Sequence, residues 1–196
     1  MCLPENETCE RILEVADELF SQRGYAAVRL RDIATAVGMK HASLYYYVPG
    51  GKEQLFIEVL ERNFYRHREG MTQAIQNAGI DLRDQMLAVM AWFFSQPPMD
   101  LARLYYADMP QIDPGQAERL MRLALDSLRT PVSSAIERAN ATGQVEIANP
   151  GLAAMSLVNL AQGVKAIPES SSMTAERREQ IGGEVIDMLL NGWRKR

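Results

Sequence analysis

The stretch from Leu30 to Lys52, LRDIATAVGMKHASLYYYVPGGK, constrains the chain most. Leu30, Ile33, Ala34 and Val37 recur at the i, i+3, i+4, i+7 spacing of one helix face, and Gly38 ends that helix where a left-handed backbone angle is cheapest. A second helix starts within a few residues. His41, Ala42, Ser43 and Tyr45 lie on or near its exposed side, while Leu44 and Val48, four apart, turn back toward the first helix. Two short helices joined by a tight glycine turn predict a helix-turn-helix, whose second helix suits the DNA major groove. The charges fit that use: between Leu19 and Lys52 stand Arg23, Arg29, Arg31, Lys40 and Lys52, against Asp32 as the only acid.

The whole chain has 196 residues, 47% of them hydrophobic, which is enough for a sizeable core and one large or two small domains. Its net charge of −4 argues against a protein that coats nucleic acid indiscriminately, because non-specific binding is driven by charge over the whole surface. A small basic patch on an acidic body suits a site-specific binder. Cys2 and Cys9 are the only cysteines and His41 and His67 the only histidines, so no metal-ligand spacing exists and no cofactor is expected. The same scarcity disfavours an enzyme, since no His-carboxylate or Cys-His constellation can be assembled. On one helix the two cysteines would stand about 10 Å apart, too far for a disulfide, while a frayed start would let them meet; a redox switch there is the less favoured reading. The acidic start MCLPENETCE lacks the basic and apolar runs of a signal peptide, and the longest apolar run, Met86 to Phe94, is too short to cross a bilayer. A cytoplasmic protein with no membrane partner is expected. The sequons at Asn6 and Asn140 are therefore chance matches.

An all-α chain of about nine helices follows from the periodicity. Ile12, Ala16, Leu19 and Phe20 make a first helix from Glu7 to Arg23, closed by Gly24. Beyond Pro49-Gly50-Gly51, a fourth begins at Lys52 and continues past His67, a lever between the two halves of the chain. Leu82 to Phe93 is a fifth, ended by Pro97-Pro98, and Leu101 to Met109 a short sixth, ended by Pro110. From Gln116 to about Thr142 a long seventh is expected to kink or break at Pro131. Asn149-Pro150 opens an eighth to about Ile167, and Thr174 opens the last to about Arg194. His67 and Arg68 read as a solvated helix face. Gly51-Lys52 lacks the remaining residues of a phosphate-binding loop.

With the preceding apolar helix, GYAAVRLRDIATAVGMKHASLYYYVPGGKEQLF resembles the amino-terminal domain of TetR-type transcriptional regulators. That domain is expected over residues 6–66, with a helical ligand-binding and dimerisation domain over 67–196. The resemblance implies that His41, Ala42, Ser43 and Tyr45 face base edges and that Lys40, Tyr46, Tyr47 and Lys52 lie against phosphates. Two departures stand out. Val28-Arg29 replaces the usual hydroxyl residue before the second helix, which offers Arg29 as a phosphate contact instead of a cap, and Gly50-Gly51 is one residue longer than the usual connection.

Soft and aromatic residues crowd the middle of the chain, among them Met86, Met90, Phe93, Tyr105, Tyr106 and Met109. Each is by itself a core residue; the resemblance implies that part of the set lines a cavity for an apolar or aromatic effector. Leu152 to Val164 is apolar on nearly all sides and Ile181, Val185, Met188 and Leu189 form a stripe. Gly182 and Gly183 sit inside that last helix, where close packing would offset the roughly 1 kcal/mol each costs relative to Ala. Tight packing within one chain is the plainer reading. The favoured one is a two-fold bundle of four helices with Leu157, Leu160, Val164, Ile181, Gly183, Val185, Met188 and Leu189 between the copies. The expected function is a homodimeric, ligand-released repressor on a pseudo-palindromic double-stranded operator, with a ligand-independent DNA-binding protein or an activator as the alternatives.

Overall fold

The structure, a computed structural model, describes residues 6–97, 99–170 and 172–193. Among them the chain forms nine α-helices and no strand: α1 (Glu7–Ala27), α2 (Leu30–Val37), α3 (His41–Tyr47), α4 (Gly51–Asn77), α5 (Leu82–Ser95), α6 (Leu101–Arg103), α7 (Pro114–Ala141), α8 (Pro150–Lys165) and α9 (Ala175–Trp193). They divide into two compact units, one of Met1–Phe64 with Met99–Ala124, the other of Tyr65–Pro98 with Leu125–Arg196. Helices α4 and α7 each contribute to both.

In the first unit, local chemistry sets each helix end. Asn6 caps α1 by accepting from the Cys9 N–H at 3.1 Å. Asn6 itself is extended, so the helix begins at Glu7 and a cysteine separation measured along one helix does not apply. Cys9 is buried and is not a free thiol, which corrects its reading as unpaired; Cys2 lies outside the described residues. Gly24, at φ 76° and ψ 166°, breaks α1 as expected, with a last turn running on to Ala27. The hydroxyl cap missing before α2 is replaced from inside the helix: Asp32 accepts from the Arg29 N–H at 2.9 Å, the returning half of a capping box. Gly38 ends α2 at φ 80°, and Met39 N–H reaches back to the Ala34 carbonyl at 2.9 Å. Leu44 and Val48 turn into a core with Ile12, Phe20, Ile33, Val37, Leu55 and Phe56.

The expected sixth helix is three pieces instead. After α6, Leu104–Asp108 is a π-helical turn and Met109–Gln111 a 3-10 turn carrying Pro110. Pro131 also behaves differently from expectation, since α7 runs through it unbroken. Proline removes one N–H from the ladder, and the buried packing of Pro131 and its neighbour Val132 holds the helix together across the gap.

In the second unit, Asp81, Asn149 and Thr174 cap α5, α8 and α9. A Cβ on Gly182 would meet Phe94 at 3.0 Å and Met90 at 3.3 Å, so the close approach that offsets this glycine is to α5 of the same chain. Lys165 donates to the Phe94 carbonyl at the end of α5. His67 is not on a solvated face: it is 1% exposed, stacks on Phe93 at 5.4 Å and accepts from the Trp92 indole N–H at 3.3 Å. Burial, with the Arg66 charge adding to it, lowers its pKa from 6.5 to about 4.

That imidazole sets a pH dependence. The folded chain holds it neutral while the unfolded chain takes up a proton below about pH 6.5, so its contribution is fully present above that value and is lost as pH falls toward 4. The loss should approach roughly 3 kcal/mol. His67→Gln, which keeps an acceptor for Trp92 but does not titrate, should flatten this part of the profile in urea unfolding at pH 7 and pH 4.5. An unchanged slope would assign the dependence to other groups.

Candidate nucleic-acid interface

The second helix of the pair, α3, is seated by one residue and exposed by most others. Leu44 is fully buried, while His41, Ala42, Ser43, Tyr45 and Tyr46 face solvent and Tyr47 is half-buried. His41 and Tyr45 meet edge to face at 5.1 Å, one turn apart, and Tyr46 and Tyr47 do so at 5.4 Å. Tyr46 is the more exposed of the two outer tyrosines at 69%, against 48% for Tyr45. Lys40 precedes α3 and is exposed, as are Arg29 and Arg31 at the start of α2. Arg31 has Asp32 as its nearest acid, 3.8 Å away. Donors, acceptors and ring faces are thus displayed on a short helix whose apolar side is fixed, an arrangement suited to reading base edges and touching phosphates.

Lys52 is placed differently. Its ammonium donates to the Tyr25 carbonyl at 2.9 Å and lies 3.9 Å from the centroid of the Tyr25 ring. Partial burial lowers its pKa. The cation expected to lie against a phosphate therefore fastens the start of α4 to the end of α1.

Tyr25 is held from its other side as well. Its N–H donates to the Asp108 carboxylate at 2.8 Å, and its ring packs on Phe56 at 4.8 Å. Burial raises the Tyr25 phenol pKa, and the Glu53 charge adds to the shift. Asp108 is 5% exposed and lies 3.6 Å from the Arg103 guanidinium, which donates in turn to the carbonyls of Ser21 at 2.6 Å and Phe20 at 3.2 Å. Arg103 thereby supplies donors to carbonyls near the end of α1, and Asp108 accepts the N–H that follows the break at Gly24. Neither was singled out in the sequence. On a regular α-helix residues five apart point about 140° away from each other, and only the π turn between them brings them together.

The expected ligand-binding set has members in both units. Met86, Met90 and Phe93 are fully buried in the second unit, whereas Met109 is buried and Tyr105 and Tyr106 are exposed in the first. Of the expected interface residues, Leu157 and Val164 are buried in the core of their own chain. Leu160, Ile181, Gly183, Val185 and Leu189 are half-buried, and Met188 is 61% exposed. No helix among the described residues is long and apolar enough to cross a membrane.

A helical chain that presents α3 in this way, on a seat built by α1 and α2, is a helix-turn-helix protein. Residues 12–59 match the family of bacterial regulatory proteins of the tetR type, and residues 81–194 match the carboxy-terminal domain of AefR-like transcriptional repressors. The chain belongs to the TetR family of transcriptional regulators. LmrA of Bacillus subtilis is 47% identical over 51 residues, 26% of this chain and 27% of LmrA. NemR of Escherichia coli is 27% identical over 84 residues, 43% of this chain and 42% of NemR. The chain thus matches less than half the length of these relatives. AibR, in complex with isovaleryl coenzyme A and operator DNA, shares the fold with a TM-score of 0.74 at 19% identity over 94% of this chain and 98% of AibR.

The Asp108 brace yields a direct expectation. Asp108→Ala leaves the Tyr25 N–H without its acceptor and Arg103 without its ion pair, and should cost roughly 3 kcal/mol in the denaturant midpoint. Arg103→Leu in the same background should add less than it does alone, because the two residues serve one network. Full additivity in that double-mutant cycle would show that they act separately.

Proposed function

We propose that this protein is a homodimeric transcriptional repressor that reads a pseudo-palindromic operator with α3 and leaves it when a small effector binds. The observation that carries the reading is the display on α3 of His41, Ser43, Tyr45 and Tyr46 around a buried Leu44. Lys40 and Arg29 flank that display as cations for phosphates. Repression rather than activation is supported by the match of residues 81–194 to a repressor domain.

Two copies are needed for the reader to be selective. One such helix spans a few base pairs, and a two-fold pair set about one DNA turn, ~34 Å, apart doubles the sequence read. The surface that supports pairing is the outward side of α8 and α9. Leu152 is 65% exposed there and Met188 61%, with Leu160, Ile181, Val185 and Leu189 half-buried around them. Large exposed apolar side chains concentrated on two adjacent helices favour burial against a second copy.

The DNA reading is tested on a duplex selected from a random pool, by anisotropy titration. Tyr45→Ala or Ser43→Ala should weaken binding by about 1 to 3 kcal/mol and relax preference at one base pair per half-site. If both variants kept the affinity and the sequence preference of the parent, α3 would not be the reading helix.

Pairing is tested by light scattering. Val185→Glu places a charge among apolar neighbours and should give monomers that bind the selected duplex poorly. A dimer of parental stability in this variant would move the interface away from α9.

A further inference from the structure

A cleft of about 430 Å³ opens in the second unit between α4, the start of α5 and α7. Arg68 and Gln76 reach it from α4, and Ser134 and Arg138 from α7. Each pair is spaced by whole helical turns, so each helix turns one polar stripe toward the same space. Ile75 and Ile80 supply apolar wall; Ile80 is 90% exposed, in the short connection between α4 and α5. No carboxylate lines the cleft among the described residues.

The two arginines differ from the others on these helices. Arg62, Arg83, Arg119, Arg122 and Arg129 each pair with a carboxylate of the same chain. Arg68 and Arg138 have no such partner among the described residues. Two unneutralised guanidinium groups at one concave site raise the local potential for an anion, and their planar donor forks match a carboxylate or phosphate. Gln76 and Ser134 add neutral donors that fix orientation. The volume falls in the range that encloses a small organic molecule rather than an inorganic ion alone.

We propose that this cleft is the effector site and that the effector is a small organic anion, its carboxylate or phosphate held by Arg68 and Arg138 and its apolar part against Ile75 and Ile80. The proposal rests on the reading of the protein as an effector-released regulator and replaces a purely apolar ligand with an amphipathic one. Binding energy comes from charge-assisted hydrogen bonds in a partly enclosed site, where they are stronger than in open water.

The test is a fluorescence titration of the full-length protein without DNA, using the anionic probe anilinonaphthalene sulfonate and its neutral relative N-phenylnaphthylamine. Saturable binding of the anion is expected, displaced by phenyl phosphate or by benzoate according to which acid the site prefers. Arg68→Gln with Arg138→Gln should weaken the anion by roughly tenfold or more and leave the neutral probe unchanged, and the double lysine variant should recover part of the loss. The proposal is overturned by the absence of saturable anion binding, by equal affinity in the double glutamine variant, or by a loss shared with the neutral probe. Because binding is read without operator, such a failure leaves DNA recognition by α3 standing. Conversely, a Tyr45→Ala protein that has lost its operator should bind the anion as the parent does.

Discussion

The geometry of the helix-turn-helix unit depends on one buried carboxylate. Asp108 accepts the Tyr25 N–H at 2.8 Å just beyond the point where α1 breaks, and Arg103 beside it takes the last carbonyls of α1. Tyr25 then passes the constraint on, since its own carbonyl receives the Lys52 ammonium from the first turn of α4. The backbone of one residue is thus held at its N–H by an acid and at its carbonyl by a base, 83 and 27 residues away. Apolar packing alone leaves a helix pair free to slide by fractions of a turn. Hydrogen bonds to a defined N–H and a defined carbonyl do not.

Much of the first unit was legible because its signals are local. Four apolar residues at helical spacing, a glycine with positive φ and a buried Leu44 define α2, the turn and α3 within fifteen residues, and the structure agrees with that reading. The caps at Asn149 and Thr174 were legible for the same reason, as each acts within three residues. What could not be read needed distant partners. Lys52 looked like a free cation because Tyr25 is 27 residues away, and His67 looked solvated because Trp92 and Phe93 lie on another helix. Nor did the periodicity reveal that residues 99–124 belong with the amino-terminal helices: Leu104, Met109, Ile112, Leu120 and Ala124 join their core, and an apolar stripe does not by itself say which core it enters.

The soft residues of α5 pack inside their own unit. Met86, Met90 and Phe93 have the chemistry of an adaptable pocket, yet they are fully buried, with Met90 against Gly182 and Phe93 against His67. A concave space also lies beside polar stripes on α4 and α7, which hydrophobic periodicity is built to ignore. Charge bookkeeping across the fold was the missing signal. Arginines that remain unpaired where their neighbours are paired mark the site, and pairing is visible only once the helices are assembled.

The π turn links the two themes. A run of i to i+5 bonds over Leu104–Asp108 is less stable than an α-helix of the same length, so something must hold it. Asp108 does so, and Gly24 makes room: a Cβ there would stand 3.1 Å from the Asp108 carboxylate on a backbone already at φ 76°. Glycine at that position therefore answers two demands, a left-handed angle and a close approach, and both are set by the carboxylate rather than by α1.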